Sequence, residues 1–167
     1  MGHDAAGQVV GRRIRRHRKG HVIVDLDEHE RRILRDLAEQ LRALLLDGSE
    51  PSLRRLFPTA HPDDEVKERE YQSLVHDNLL EHRLATLDEF EATLDAATLT
   101  VAQTERWMTA LNDLRLVLGT LLDVSEDSVE FDPDAEDAFS QAVYHFLGGL
   151  LEQVVDVLFS TLPPPAK

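Results

Sequence analysis

IRRHRKGHVIVDLDEHERRILRDLAEQLRALLLDG, residues 14–48, changes its apolar period partway along. Up to Leu26 the pattern belongs to a strand. Val22, Val24 and Leu26 recur at every second position, Ile14 sits among arginines, and Lys19-Gly20 supplies a turn, so Val9–Leu26 is predicted to form a β-hairpin with one apolar face. Two strands alone are marginal in water, and this pair needs helices to cover it. From Asp27 the period becomes helical. Asp27 and Glu30 make the D-x-x-E of a capping box, which satisfies orphan amides at a helix start. Ile33, Leu34, Leu37, Leu41, Leu44 and Leu45 then form one stripe to about Asp47, and Gly48 suits the left-handed stop.

Helical patterning continues downstream. Pro51 permits a short turn over Ser52–Phe57, closed by Pro58. Pro62 is predicted to open a long helix, with Asp63, Asp64 and Glu65 in its first turn, reaching about Asp95 through Tyr71, Leu74, Leu80, Leu84, Leu87, Phe90 and Leu94. Thr100 with Gln103 repeats the capping box, ahead of the stripe Trp107, Leu111, Leu114, Leu118 and Leu121. An acidic connector fills 123–137. Asp132-Pro133 is predicted to cap and start a further helix carrying Phe139, Val143, Phe146, Leu150, Val154 and Leu158, in which Gly148-Gly149 calls for close packing or a bend.

The expected fold is mainly α, an N-terminal β-hairpin packed on a bundle of about four longer helices plus a short helical turn. Residues 9–162 are expected to make one domain, with hairpin 9–26 and helical bundle 27–162, between a flexible N-terminus 1–8 and a tail 163–167. At 167 residues and 42% apolar content, one core is within reach. Cysteine is absent, which excludes a disulfide framework, a thiolate nucleophile and a thiol switch within the chain. The opening MGHDAAGQVV has neither a basic nor an apolar signal region, so a cytoplasmic location is expected. Phe139–Leu162 is interrupted by His145, Glu152 and Asp156 and reads as a core helix rather than a membrane span.

Charge is distributed unevenly. Residues 1–19 hold Arg12, Arg13, Arg15, Arg16, Arg18 and Lys19 against Asp4 alone, a net +5 in a chain whose total is −14, so residues 20–167 carry −19. Such a body repels phosphate backbones, whereas the arm suits an anionic partner. On a hairpin Arg13, Arg15 and His17 would lie opposite the apolar face, positioned for phosphates or an acidic protein surface. The plain alternative is a charged edge strand that resists aggregation.

Chemistry is harder to find. His21, Asp25, His29 and Glu30 do not follow a ligand spacing and are read as scattered surface groups; no metal or cofactor is expected. Ser125 and Ser128 lack a nucleophile elbow, Asp63-Asp64 are adjacent and diverge on a helix, and no Walker A or GxGxxG loop occurs. An enzyme whose site is assembled from residues distant in sequence is the weaker alternative. Within ALNDLRLVLGT, residues 110–120, the polar cluster is Asn112, Asp113, Arg115 and Gly119. Met108, Asn112, Arg115 and Gly119 share one helical face. That face is either a partner surface or, as favoured, a helix contact drawn close by Gly119, across which Arg115 pairs with an acid.

The order RRLFP (54–58), HPDDEVKEREYQSLVHDNLLEHRLATL (61–87) and WMTALNDLRLVLGTLLDV (107–124) resembles the actinobacterial domain-of-unknown-function family two-thousand-seventeen, an oxidative-stress-sensing regulator-like family. NDLRLVLGT is the most specific element of the likeness. The resemblance implies a cytoplasmic regulator linked to transcription or stress response, acting by protein contacts, with a sigma factor or RNA polymerase among the implied partners. Redox sensing in that family is attributed to a cysteine pair, which this chain lacks, so thiol sensing does not carry over. Asn78 also stands where the pattern often has an acid. Taken with the residues, this gives a non-enzymatic regulatory protein with a basic hairpin and a helical groove as its contacts. The runner-up is direct nucleic-acid binding by the hairpin; no membrane partner is expected.

Overall fold

The computed structural model describes residues 11–49, 51–122, 134 and 136–163. The expected flexible N-terminus 1–8, nearly all of the acidic connector with Ser125, Ser128 and Asp132-Pro133, and most of the tail lie outside the described residues. Chain order is β1 (Ile14–Arg16), β2 (Val22–Val24), α1 (Glu28–Asp47), a 3-10 turn (Pro51–Arg55), α2 (Glu65–Ala92), β3 (Thr98–Leu99), α3 (Val101–Leu121) and α4 (Ala138–Thr161). The expected hairpin-on-bundle architecture is present.

The hairpin pairs Ile14 with Val24 and Arg16 with Val22, and Gly20 takes φ 91° at its turn, where a side chain would be strained. A third strand was not legible in the sequence. Thr98-Leu99 pairs antiparallel with Ile23-Val22, and the Val24 N–H donates to the Ala97 carbonyl at 2.9 Å, giving the sheet order β1-β2-β3. Two residues are too few to display alternation.

Both capping boxes form as expected, at Asp27/Glu30 and Thr100/Gln103, and Gly48 stops α1 at φ 71°. Other boundaries differ from expectation. The long helix starts at Glu65 rather than Pro62, because Asp64 is its N-cap and accepts from the Val66 and Lys67 amides at 3.1 Å; Asp63 therefore lies before the helix. The helix beginning at Ala138 has Asp137 at its N-cap position, without a side-chain capping bond.

Ile14, Val22, Leu34, Leu41, Leu56, Leu87, Phe90, Leu99, Trp107, Leu111, Leu147 and Leu150 belong to one buried cluster joining the sheet to all four helices. Trp107 lies edge-on to Phe90, centroids 5.0 Å apart, and donates its indole N–H to Thr93 Oγ1 at 2.7 Å. Three residues placed in apolar stripes instead face outward: Leu74 (75% exposed), Leu121 (56%) and Phe139 (69%). Leu74 is on the N-terminal half of α2, ahead of its buried Thr86, Leu87 and Phe90, and the other two are at the last turn of α3 and the first turn of α4.

A guanidinium holds the junction together. Arg31 donates to the carbonyls of Leu26 (3.0 Å), Ala96 (3.3 Å) and Leu94, tying the entry to α1 to the segment between α2 and β3. A fourth bond reaches the Val24 carbonyl at 3.4 Å, so one planar guanidinium serves acceptors on both segments, which the single point of an ammonium does not span.

Candidate interaction surface

The hairpin divides its six cations into two groups. Ile14 and Arg16 share the face turned toward the helices and Arg15 takes the other, as the alternation predicts, whereas Arg13, expected beside Arg15, is drawn back onto α1 and α4. Its Nε donates to Glu30 Oε1 at 2.6 Å, its guanidinium lies 5.4 Å from the Phe146 ring centroid, and the same Glu30 closes the α1 capping box. Arg16 Nη1 donates to the Ser160 carbonyl at 2.5 Å, at the negative end of α4. The Ile14 N–H, on the open edge of β1, donates to Gln153 Oε1 at 2.9 Å. The hairpin is thus fixed on α1 at one side and along α4 on the other.

Arg12, Arg15, Arg18 and Lys19 remain. Their side chains are exposed and make no hydrogen bond or ion pair with the described residues. Between them, at the hairpin tip, the His17 and His21 rings stack with centroids 4.2 Å apart and planes at 16°, and His17 Nδ1 accepts from the Lys19 amide at 3.2 Å. The structure therefore places His21 against His17, apart from Asp25, His29 and Glu30. Among the described residues no group of three or more His, Asp or Glu side chains is arranged to hold a metal ion.

The second candidate cluster separates across α3. Asp113 is buried at 3% exposure and accepts from Arg83 Nη1 of α2 at 2.5 Å, while Arg83 Nη2 donates to the Leu56 carbonyl at 3.1 Å. Burial pushes the Asp113 carboxyl above its ordinary range, against the opposing pull of Arg83. Asn112 is exposed. Arg115 and Gly119 face α4: a Cβ on Gly119 would lie 3.0 Å from Tyr144 Cε2, and one on Gly148 would lie 3.5 Å from Arg115 Nε. The glycine does bring the helices together. Among the described residues, however, no acid pairs with Arg115; its guanidinium instead lies 5.1 Å from the Tyr144 ring centroid, and its buried Nε has no acceptor. The acid pair belongs to Arg83, which lacks a motif and was not singled out from the sequence. Close packing accounts for Gly148, whereas the Cβ position of Gly149 meets open space.

A groove of about 410 Å³ opens between α3 and α4, lined by Met108, Thr109, Val155, Leu158, Phe159, Thr161 and Leu162 together with the charged Glu105 and Arg106. Phe159 and Leu162 are 69% and 61% exposed. Among the described residues α4 is the helix long and apolar enough to cross a membrane, and 28% of its most apolar window is buried.

One family model, described as Domain of unknown function (DUF2017), matches residues 11–158. No curated protein and no solved structure matches the chain. The matched span takes in the hairpin from Gly11, both capping boxes, and α4 as far as Leu158.

Proposed function

We propose, for a chain that belongs to the family Domain of unknown function (DUF2017), a non-enzymatic regulatory role exercised through contacts with another protein, with the β1–β2 hairpin as the contact. The observation that carries this reading is the division of the cations. Arg13 and Arg16 anchor the hairpin, which leaves Arg12, Arg15, Arg18 and Lys19 on a fixed scaffold without a partner among the described residues. Exposed charges contribute little to folding. Four of them, grouped in a chain whose residues 20–167 carry −19, suit recognition of an acidic surface better than stability. A cytoplasmic setting, an actinobacterial source, a link to transcription or stress response, and a sigma factor or RNA polymerase as partner follow the family resemblance.

A second reading has one observation in its favour. The stacked His17–His21 pair between Arg15 and Arg18 offers a flat surface on which a base can stack, as single-stranded nucleic-acid sites do. The acidic body opposes it.

Affinity purification from the native cell, with wild type beside Arg12→Gln/Arg15→Gln/Arg18→Gln, tests the first reading. Arg13 and Arg16 are left intact because they hold the hairpin. The expected variant keeps its helicity and melting temperature and loses its partner, with binding weakened by about 1–3 kcal/mol. Retention of every partner overturns the reading. Binding to single-stranded DNA that falls steeply with salt favours the second one.

A further inference from the structure

We propose that the hairpin tip is a proton-operated switch: protonation of His17 and His21 parts their stacked rings, loosens the turn, and strengthens the grip of the hairpin on an acidic surface. The last of these steps rests on the acidic-partner reading of the hairpin; the first two stand without it.

Two contacts close the tip, and both depend on the rings being neutral. His17 Nδ1 accepts from the Lys19 amide at 3.2 Å, which requires a lone pair on that nitrogen, so the proton of the neutral ring sits on Nε2. A proton added at Nδ1 turns the acceptor into a donor and ends the bond. The second contact is the stack itself, with centroids 4.2 Å apart and planes at 16°. Two neutral imidazoles tolerate that separation, whereas two imidazoliums repel across it. Imidazole is also the side chain whose ordinary titration falls between pH 5 and 8.

The charged groups near the rings are cations. Arg15 precedes the tip on β1, Arg18 and Lys19 are in the turn, and Arg16 is tied to the Ser160 carbonyl. β3 sets Thr98 and Leu99 against Ile23 and Val22, and α4 meets the arm with Phe146, Gln153 and Ser160, none of them charged. The carboxylates Asp25 and Glu30 belong to the other end of the hairpin, where the Asp25 amide donates to the Arg13 carbonyl at 2.7 Å and Glu30 holds the Arg13 side chain. Neither imidazole forms an ion pair with a carboxylate among the described residues. An acidic partner supplies that missing anion. The bound state then holds more protons than the free one, so binding strengthens as pH falls.

The change is confined to the tip. Ile14, Arg13 and Arg16 are anchored to Gln153, Glu30 and Ser160, and no imidazole takes part in those bonds. The strands therefore stay docked while residues 17–21, closed by the bonds from the His17 amide to the His21 carbonyl (2.8 Å) and from the Gly20 amide to the His17 carbonyl (3.0 Å), lose their side-chain support.

Nuclear magnetic resonance on the purified full chain tests the switch without a partner. Cross-relaxation between the His17 and His21 ring protons should be present at pH 7.5 and lost at pH 5.5, and Lys19 amide exchange, corrected for intrinsic rates, should be about threefold faster or more at the lower pH. In His17→Phe/His21→Phe, which keeps two rings and no titratable one, neither quantity should change with pH. Should that pair disturb the strands, His21→Phe alone keeps the test open, since its Lys19 amide should still respond. Rings that stay in contact at pH 5.5 overturn the proposal, as does a double variant that responds like wild type. Poly-L-glutamate serves as the acidic surface. At fixed ionic strength wild type should bind it about three- to tenfold more tightly at pH 6 than at pH 7.5, and the double variant equally at both. Equal binding by wild type at both values overturns the regulatory step. Opening of the tip with no binding at either value overturns the acidic-partner reading and that last step with it.

Discussion

Arg83 on α2 and Asp113 on α3 meet at 2.5 Å, with the carboxylate 3% exposed and the Leu56 carbonyl taking a second donor of the same guanidinium. Asp113 has little water to fall back on, whereas the Arg83 side chain keeps 19% of its surface exposed. Removing one partner strands the other, which costs about 3–5 kcal/mol for a buried pair, whereas replacing both with apolar groups of similar size is often close to neutral. Arg83→Met and Asp113→Leu are each expected to unfold at markedly lower urea concentration than wild type. The double variant should recover much of the loss; additive losses in that cycle would show that the pair is not coupled.

Arg31 supports the fold through carbonyls rather than carboxylates. Truncating it to Met leaves the Leu26, Leu94 and Ala96 acceptors to weaker partners, and a loss of about 2–4 kcal/mol is expected in chemical denaturation. Lys at the same position should restore little, because a single ammonium lacks the fork that reaches several acceptors. Full rescue by Arg31→Lys would argue that charge alone is what matters.

Glu68 predicts acid sensitivity at the start of α2. Its carboxylate accepts from Gln72 Nε2 at 2.7 Å and from the His61 and Ala60 amides at 2.6 and 3.0 Å, and these bonds hold its pKa below the ordinary glutamate value, the Gln72 bond contributing most. A carboxyl depressed by folding supports the fold above its unfolded pKa and stops doing so as pH falls through the folded one. Amide exchange at Ala60 and His61 should therefore accelerate as pH falls below the ordinary glutamate range, after correction for intrinsic rates. In Glu68→Gln that additional acid dependence should vanish.

The helical glycines separate by what surrounds them. Gly149 faces open space, so Gly149→Ala should raise stability by about 0.5–1 kcal/mol through helix propensity alone. Gly119→Ala places a methyl 3.0 Å from the Tyr144 ring, which is itself held beneath Arg115, so the same propensity gain should be cancelled or reversed. Thermal melts of the two variants decide the matter, and equal gains would mean that Tyr144 moves freely.

Most of the architecture was legible because its signals are local. The D-x-x-E and T-x-x-Q boxes, the turn glycines and the 3.6-residue stripes each act within a few positions of sequence. What escaped reading depends on distant partners. Thr98-Leu99 is a strand only because β2 is beside it, and Arg13 looked available because nothing nearby in sequence announces Glu30. The pairing expected of Arg115 belongs to Asp113 with Arg83, two positions along and on the opposite side of α3. Leu74, Leu121 and Phe139 satisfy the helical period yet face solvent, since periodicity identifies a face and not what covers it.

The bond from the Ile14 amide to Gln153 spans 139 positions of sequence, and that from Arg16 to Ser160 spans 144. A nascent chain releases β1 from the ribosome long before it can offer either acceptor, so the arm waits through most of synthesis for its support. Such distant closures come late because their loop entropy is paid before any contact forms. The cations consequently attain their fixed arrangement only in a chain translated through α4. A product cut short after α3 carries the same arginines with the Arg13–Glu30 tie to α1 but without the two bonds to α4.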